Sequence, residues 1–303
     1  MPPPNRPMDR PPSPRRLPAP EPILLMFYLQ LRNELRKLFG KKRTYIGFGV
    51  FLVAQNLMLL AFHFSRWEKE TGRLLAGNGY GVTDYISALT VALLMLIPQI
   101  LLLMPLYVTL VGGDLVAKEA EDGTLRMILA RPISRFRLLL VKWVAGVVFS
   151  TLLVFALGGM ALFFARCWFP WMFFASPAPV QIFNVMTAGE GLRLFVTAHL
   201  FLAVNACTML SLSFMFSCFN MKPAAATILA LSVLLLNLVM EAMPFFEEYK
   251  EYALTHHFRC WLLVFSKPIP TAQMAMSLCY LFAANATAFI IGAAHFHLRD
   301  IKS

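Results

Sequence analysis

Residues 86–111 read ISALTVALLMLIPQILLLMPLYVTLV, a run without a single Asp, Glu, Lys or Arg. About 20 apolar residues in a helix cross the hydrocarbon core of a bilayer, so this run is long enough to span a membrane. Backbone polar groups in lipid must be satisfied internally, which makes such a run a helix. Five further runs of this kind lie at about 44–64, 138–164, 192–219, 224–243 and 275–297. The sequence therefore predicts an all-α integral membrane protein with six transmembrane helices.

The composition of the whole chain agrees with this fold class. Of its 303 residues 58% are hydrophobic and 14% charged, and the mean hydropathy is +0.64. Soluble domains carry roughly 25% charged residues. These values exclude a disordered chain and argue against a soluble globular protein. The formal charge of +11 does not indicate a nucleic-acid partner, because the basic residues lie between apolar runs and form no solvated patch.

The Lys and Arg residues predict the orientation of the six spans. With an even number of spans both termini lie on one side, and 19 of the 27 Lys and Arg residues fall on that side. By the positive-inside rule this side is the cytoplasm. We therefore expect a multi-pass protein with both termini in the cytoplasm.

Three regions follow one another along the chain. Residues 1–22 contain half of the 20 prolines and are expected to be a disordered, Pro/Arg-rich cytoplasmic tail. Residues 23–43 place apolar side chains three and four residues apart and end in a basic cluster, which predicts an amphipathic helix lying in the membrane interface. The alternative is an ordinary helix packed on its own protein. Residues 44–303 form the six-span domain.

The loop between the second and third spans is the most informative segment. From Gly113 to Lys142 it reads GDLVAKEAEDGTLRMILARPISRFRLLLVK. The pattern predicts a short acidic helix over 114–122, a glycine stop, a threonine-capped second helix over about 125–131, then a proline and a serine that begin the third span. The four residues predicted to end or begin these helices are Gly123, Thr124, Pro132 and Ser134.

The same loop carries a resemblance to a known family. It resembles the membrane subunits of ABC-2 type transporters, which carry an acidic residue, Gly-Thr-Leu, a leucine-containing turn, Pro-[Ile/Val]-Ser-Arg and a lysine in the next span. The N-terminal segment Glu34–Lys37 and the ending Phe296–Asp300 also fit. The matching loop residues are Glu119, Gly123, Thr124, Leu125, Leu129, Pro132, Ile133, Ser134, Arg135 and Lys142.

The resemblance implies a permease, expected to be an exporter in a plasma membrane such as a bacterial inner membrane. It implies that the loop at about 113–137 forms a coupling helix that docks on a separate ATP-binding subunit. It also implies a second permease copy or a sister permease. In this reading Glu119 and Glu121 pair with basic residues of the partner, Leu125 and Leu129 fill an apolar groove, and Arg135 lies at the headgroups. Alternatively, Gly123, Thr124, Pro132 and Ser134 only shape the loop.

The chain itself contains no GxxxxGK[ST] phosphate-binding loop. We therefore expect it to bind no cofactor of its own, and we expect ATP and Mg²⁺ on the partner ATPase. Adjacent histidines at 256–257 and the pair at 295 and 297 do not share a helix face, so no metal site is predicted.

Several polar side chains lie within the spans, where they are costly and often functional. Those proposed to lie on a transport pathway are Gln99, His199, Asn205 and Asn237. The alternative is hydrogen bonding between packed helices. Pro98 and Pro105 predict a kink in the second span, and the glycine pair at 158–159 predicts a close helix contact.

Three features leave alternatives open. The loop at about 244–274 contains an apolar piece, 261–265, that is too short to span and is either re-entrant or interfacial. Cys167 and Cys260 are predicted to lie in outer loops, where they form a disulfide or remain free thiols. An intramembrane enzyme or an ion-coupled secondary transporter are the competing function classes, although the expected serine turn and intramembrane acids are not found.

Overall fold

Six long apolar helices form the body of the protein in a computed structural model of the chain. The structure describes residues 23–64, 73, 87–130, 133–169, 173–176, 184–266 and 268–298. The expectations for residues 1–22 and for Pro132 lie outside these described residues. The helices, named spans 1 to 6, are Lys42–Phe64, Ala88–Glu121, Arg135–Trp168, Ala188–Ser217, Pro223–Ala242 and Thr271–Leu298. The prediction of six membrane-spanning helices is confirmed.

Span 2 differs from its prediction in length and in internal geometry. It consists of an α-helix over Ala88–Pro98, a π-helical segment over Gln99–Leu103 and a second α-helix over Met104–Glu121. The expected kink is thus a change of hydrogen-bonding pattern between Pro98 and Pro105, since neither proline has an N–H to donate. The predicted separate helix over 114–122 is wrong, because these residues continue span 2 as one helix.

Span 4 lies at the centre of the bundle and packs against spans 2, 3, 5 and 6. The helices approach closely where one of them carries glycine. A Cβ atom at Gly158 would overlap the His199 ring, whereas a Cβ at Gly159 would meet nothing within 4 Å. The predicted close contact of this glycine pair is therefore made by Gly158 alone.

A chain of hydrogen bonds also joins spans 3, 4 and 6. Trp143 Nε1 donates to Ser211 Oγ at 2.9 Å, and Ser211 donates to Asn285 Oδ1 at 2.6 Å. Asn285 Nδ2 in turn donates to Thr208 Oγ1 at 2.7 Å. Each of these groups would be costly to bury alone in an apolar core. Here polar side chains in the spans serve helix packing.

The N-terminal helix, Ile23–Gly40, packs with its second half against span 3. Leu38 is buried, whereas Leu24 at the start of the helix is 83% exposed. Span 1 begins at Lys42, one residue after the end of the N-terminal helix. The Thr44 hydroxyl of span 1 donates to the Leu38 carbonyl at 2.6 Å and so links the two helices across this break. The second half of this helix therefore packs on its own protein, while the interfacial location of the helix stays a prediction.

Short elements occupy the loops on the other side of the bundle. Strands β1, Phe173–Ser176, and β2, Asn184–Thr187, pair antiparallel between spans 3 and 4. Thr187 then forms a capping box with Glu190, which starts span 4. Between spans 5 and 6 lie a 3-10 helix, Pro244–Tyr252, and two short α-helices, Leu254–His257 and Cys260–Leu263.

The loop between spans 5 and 6 enters the bundle. Asn205 Nδ2 in span 4 donates to the Phe258 carbonyl at 2.8 Å. Asn205 lies about 25 Å along the helix from the first residue of span 4, at 1.5 Å per residue. Trp261, Val264 and Phe265 are buried. The apolar piece over 261–265 thus packs inside the bundle, which favours the re-entrant alternative over the interfacial one, and we call residues 244–266 the re-entrant loop. Cys167 and Cys260 are both free thiols.

Candidate functional site

The loop between spans 2 and 3 is shaped largely by the residues that end one helix or begin the next. Gly123 has φ +71°, a left-handed conformation that glycine adopts without strain, and it ends the helix of span 2. The loop helix, Thr124–Leu129, follows at once. Ser134 accepts from the Arg137 N–H at 3.3 Å and caps span 3, as predicted.

The predicted cap of the loop helix is wrong. Gly123 occupies the cap position and Thr124 is already the first helical residue. The Thr124 hydroxyl instead donates to the Glu119 carbonyl at 3.3 Å. It therefore ties the loop helix back onto the last turn of span 2, which fixes the angle at which the chain reverses.

Four charged side chains meet where the N-terminal helix, span 2 and span 3 come together. We call Glu34, Lys37, Glu119 and Lys142 the base cluster. Lys142 Nζ lies 2.7 Å from Glu119 Oε1 and 3.0 Å from Glu34 Oε2. Lys37 Nζ lies 2.8 Å from Glu34 Oε1 and 3.2 Å from Glu119 Oε1. Two carboxylates and two ammonium groups thus form a neutral set that bridges three helices.

Burial makes the base cluster energetically significant. The Lys142 side chain is 1% exposed, and those of Glu34 and Glu119 are 13% and 17% exposed. Burial alone would raise the pKa of Glu34, but Lys142 and Lys37 hold that pKa below its usual value. Burial would lower the pKa of Lys37, but hydrogen bonds and charge from Glu34 and Glu119 raise it. A buried charge that loses its partner costs several kcal/mol, so these pairs hold the three helices together.

The structure separates the predicted coupling residues into an inner and an outer group. Glu119 is occupied by two lysines of its own chain. Leu125 is 2% exposed and lies in the hydrophobic core, and Leu129 packs against that core. These side chains anchor the loop to the protein, and their predicted contacts with a partner stay predictions.

The outer face of the loop is formed by other residues. Met127 is 67% exposed, and Arg126 beside it is exposed as well. Glu121 is exposed and pairs with Lys118 at 2.8 Å. Arg135 Nη1 donates to the His297 carbonyl at 3.1 Å, which links the end of the loop to span 6. Of these four residues, only Glu121 and Arg135 are predicted from the sequence as coupling residues.

The four predicted pathway residues are not joined by any of their hydrogen bonds. Gln99 Nε2 donates to the Met95 carbonyl of its own helix at 3.0 Å. His199 Nδ1 lies 2.7 Å from the Phe195 carbonyl, also in its own helix. Asn237 donates to the carbonyl four residues earlier and accepts from the Leu254 N–H at 2.9 Å. Asn205 and Asn237 thus hold the re-entrant loop, which is a packing role.

Three of the four residues keep one polar atom without a partner. Gln99 Oε1, His199 Nε2 and Asn205 Oδ1 are buried and accept no hydrogen bond within the described part of the chain. Buried polar groups are normally paired. These three atoms are therefore exceptions, since each keeps an unused capacity to form a hydrogen bond. The three side chains are buried inside the bundle, and their role on a transport pathway stays a prediction.

Sequence reasoning missed Glu34 and Lys37 as partners of the loop and of span 3. Their spacing of three residues on a helix was a usable signal for a local ion pair. It also missed Arg126 and Met127 as the exposed face. That face follows from the spacing once Leu125 and Leu129 are assigned to the buried side of the loop helix. Among the described residues no group of His, Cys, Asp and Glu has the geometry of a metal site.

Comparison with known proteins places this arrangement in a family. Residues 25–292 match the family model described as ABC-2 family transporter protein. The match includes the base cluster, the loop helix and the re-entrant loop. A search of curated proteins found no match. Because the family model covers most of the chain and agrees with the six spans, the chain belongs to the ABC-2 family of transporter proteins.

Proposed function

We propose that the chain is the permease subunit of an ATP-driven ABC-2 exporter. Its loop between spans 2 and 3 docks on a separate ATP-binding subunit, which carries ATP and Mg²⁺. A second copy or a sister permease completes the membrane part. The family membership supports transport by a membrane subunit. The observation that carries the coupling mechanism is the base cluster, since it joins the loop to span 3 and to the N-terminal helix.

The docking surface in this proposal is the outer face of the loop. Arg126 and Met127 are exposed, and Glu121 and Asp122 lie one turn before them with exposed carboxylates. Met and Arg are enriched in protein interfaces, so the exposed Arg126 and Met127 support a protein partner at this face. Leu125 contributes by anchoring the loop helix from behind.

The architecture supplies a path for mechanical coupling. The half of span 2 next to the loop is one α-helix, Met104–Glu121, so displacement of the loop moves this half of the span directly. Glu119 transfers that displacement to span 3 through the buried Lys142, and Glu34 transfers it to the N-terminal helix. Rigid packed elements transmit domain motions in this manner. Separation of the spans then exposes the buried polar atoms of Gln99, His199 and Asn205 to cargo.

The orientation belongs to the same proposal. Both termini and the loop between spans 2 and 3 lie in the cytoplasm of a plasma membrane, expected to be a bacterial inner membrane. The re-entrant loop then faces the opposite side. The excess of Lys and Arg on the side of the termini supports this arrangement.

Charge reversal at two exposed basic residues tests the docking surface. Arg126→Glu changes the outer face of the loop, and Lys222→Glu changes the exposed turn before span 5 on the same side. Each variant carries a C-terminal tag and is purified in mild detergent, and the companions are identified by mass spectrometry. We expect an ATPase companion with wild type and with Lys222→Glu. With Arg126→Glu its affinity should fall by about tenfold or more.

Two outcomes would contradict the proposal. A wild-type chain that purifies without a nucleotide-hydrolysing companion in several detergents would reopen the enzyme and secondary-transporter alternatives. A companion that binds Arg126→Glu and wild type equally would leave the permease assignment intact but remove the loop helix from the docking surface.

A further inference from the structure

The corner between the N-terminal helix and span 1 brings a basic cluster onto span 2. The N-terminal helix ends at Gly40 and span 1 begins at Lys42. Tyr107 of span 2 donates its hydroxyl to the Thr44 carbonyl at 3.2 Å, which fixes the corner against that span. The corner is thus a built part of the fold, and the side chains of residues 41–43 project from a defined position.

The charges at this corner are not balanced. Arg43 Nη2 lies 2.7 Å from Asp114 Oδ2, so the carboxylate of span 2 is already paired. Lys41 is half-buried and makes no side-chain hydrogen bond or ion pair with any residue that the structure describes. Its burial lowers the pKa of Lys41, and the nearby Arg43 and Lys142 act in the same direction against the attraction of Asp114 and Glu119. Desolvated charge without a partner is unfavourable, and an anion placed beside Lys41 would relieve it.

The surroundings of Lys41 indicate which anion fits. Lys41, Arg43 and Asp114 line a small open cavity of about 20 Å³ together with apolar residues, among them Leu38, Val111 and Phe149. The cavity lies at the first turn of a membrane-spanning helix, where phospholipid headgroups meet the hydrocarbon core. The cavity has room for little more than a water molecule, so a phosphate beside Lys41 lies at its mouth. The acyl chains of a phospholipid then lie against exposed apolar side chains of span 1, such as Ile46 and Val50.

We propose that this corner binds the headgroup phosphate of an anionic phospholipid, with Lys41 as its principal cationic contact. Lys42 adds a further positive charge at the same level, whereas Arg43 remains with Asp114. Basic pockets between membrane helices on the cytoplasmic side are suited to anionic headgroups. The bound lipid would brace the N-terminal helix and span 1 against span 2. This proposal does not depend on the identity of the ATPase partner or on the cargo.

Native mass spectrometry of the full chain tests the proposal. The delipidated protein in detergent is titrated with phosphatidylglycerol and, separately, with phosphatidylcholine. Wild type should bind phosphatidylglycerol more tightly than phosphatidylcholine. Lys41→Gln should weaken the first phosphatidylglycerol by about fivefold, the effect of one basic residue at a membrane surface. Lys41→Arg and the exposed control Lys222→Gln should keep the wild-type affinity.

Soluble glycerol phosphate is included to distinguish lipid from free anion. We expect it not to displace the bound lipid, because it has no acyl chain to pack against the exposed apolar side chains of span 1. Displacement at millimolar concentration would show a site for a soluble anion and overturn the lipid assignment. Equal affinities of wild type and Lys41→Gln, or an equal loss in Lys222→Gln, would overturn the site itself. If Lys41→Gln does not fold, the affinities of Lys41→Arg for phosphatidylglycerol and phosphatidylcholine are compared, and equal affinities would overturn the proposal.

Discussion

Replacing Lys142 with methionine removes the centre of the base cluster. Methionine has nearly the same length and fits an apolar core, so the change removes the ammonium with little change in volume. Glu34 and Glu119 then remain largely buried and face each other with only Lys37 between them. Breaking a buried ion pair by removing one partner costs about 3–5 kcal/mol of folding free energy. We expect a loss of this size, because Lys142 is 1% exposed and bridges both carboxylates.

Thermal unfolding of the purified protein in detergent measures this loss. The matched control is Lys118→Met, because Lys118 also pairs with two acids but does so on the surface. We expect Lys142→Met to melt at least roughly 6 °C below wild type and Lys118→Met to melt with wild type. The difference also depends on pH. Glu34 has a folded pKa below its ordinary value of 4.5, so its contribution is present above that value and is lost as the pH falls through the folded pKa.

A triple variant shows whether the loss arises from unpaired charge. Glu34→Gln and Glu119→Gln added to Lys142→Met remove both carboxylates, and the triple variant should be more stable than Lys142→Met alone. Residues in one ion-pair network are not additive. If Lys142→Met melts like Lys118→Met, or if the three changes add as independent losses, the base cluster does not hold the helices together.

Three further predictions concern packing, the re-entrant loop and topology. Gly158→Ala should destabilise the protein by about 1–3 kcal/mol because its methyl overlaps a histidine ring, whereas Gly159→Ala should not destabilise it; thermal unfolding compares them, and equal melting would contradict the close contact. Asn205→Ala leaves a loop carbonyl without its donor, so Cys260, whose pKa is raised to about 12 by burial, should change from unreactive to reactive with maleimide. Continued protection in the variant would show that the asparagine does not hold the loop. Because Cys167 and Cys279 are exposed free thiols, the topology test starts from a chain in which both are replaced by serine. Tyr249→Cys in that chain should react with an impermeant thiol reagent in intact cells, and reaction only after permeabilisation would reverse the orientation.

Much of the fold follows from the sequence because membrane-spanning helices are determined locally. An apolar run such as 86–111 satisfies its own backbone hydrogen bonds, so its helical state needs no tertiary information. Gly123 and Ser134 were also predictable, because a left-handed stop and a side-chain cap act within a few residues. The same local reasoning failed at Thr124, because a hydroxyl close to two helix ends can either accept from an N–H of the following helix or donate to a carbonyl of the preceding one.

The base cluster could not be predicted, because it depends on which helices become neighbours. Glu34 and Lys142 are separated by 108 residues, and nothing local to either one indicates the other. For the same reason Glu119 resembled a free carboxylate that faces a partner, whereas it is bound to lysines of its own chain. The sequence leaves the location of the 261–265 piece open between re-entrant and interfacial. Its depth depends on Asn205 of span 4, a residue outside the loop.

Photo-crosslinking at Met127 tests most directly whether this permease couples to a separate ATPase. A photoreactive phenylalanine analogue replaces Met127 in the membrane of intact cells, and the crosslinked product is identified by mass spectrometry. Its matched control replaces Phe245, which is also strongly exposed but lies in the loop on the other side. We expect an adduct at Met127, and none at Phe245, with a protein that contains a GxxxxGK[ST] phosphate-binding loop. Crosslinks from Met127 only to lipid or to a second copy of the chain would contradict the coupling mechanism.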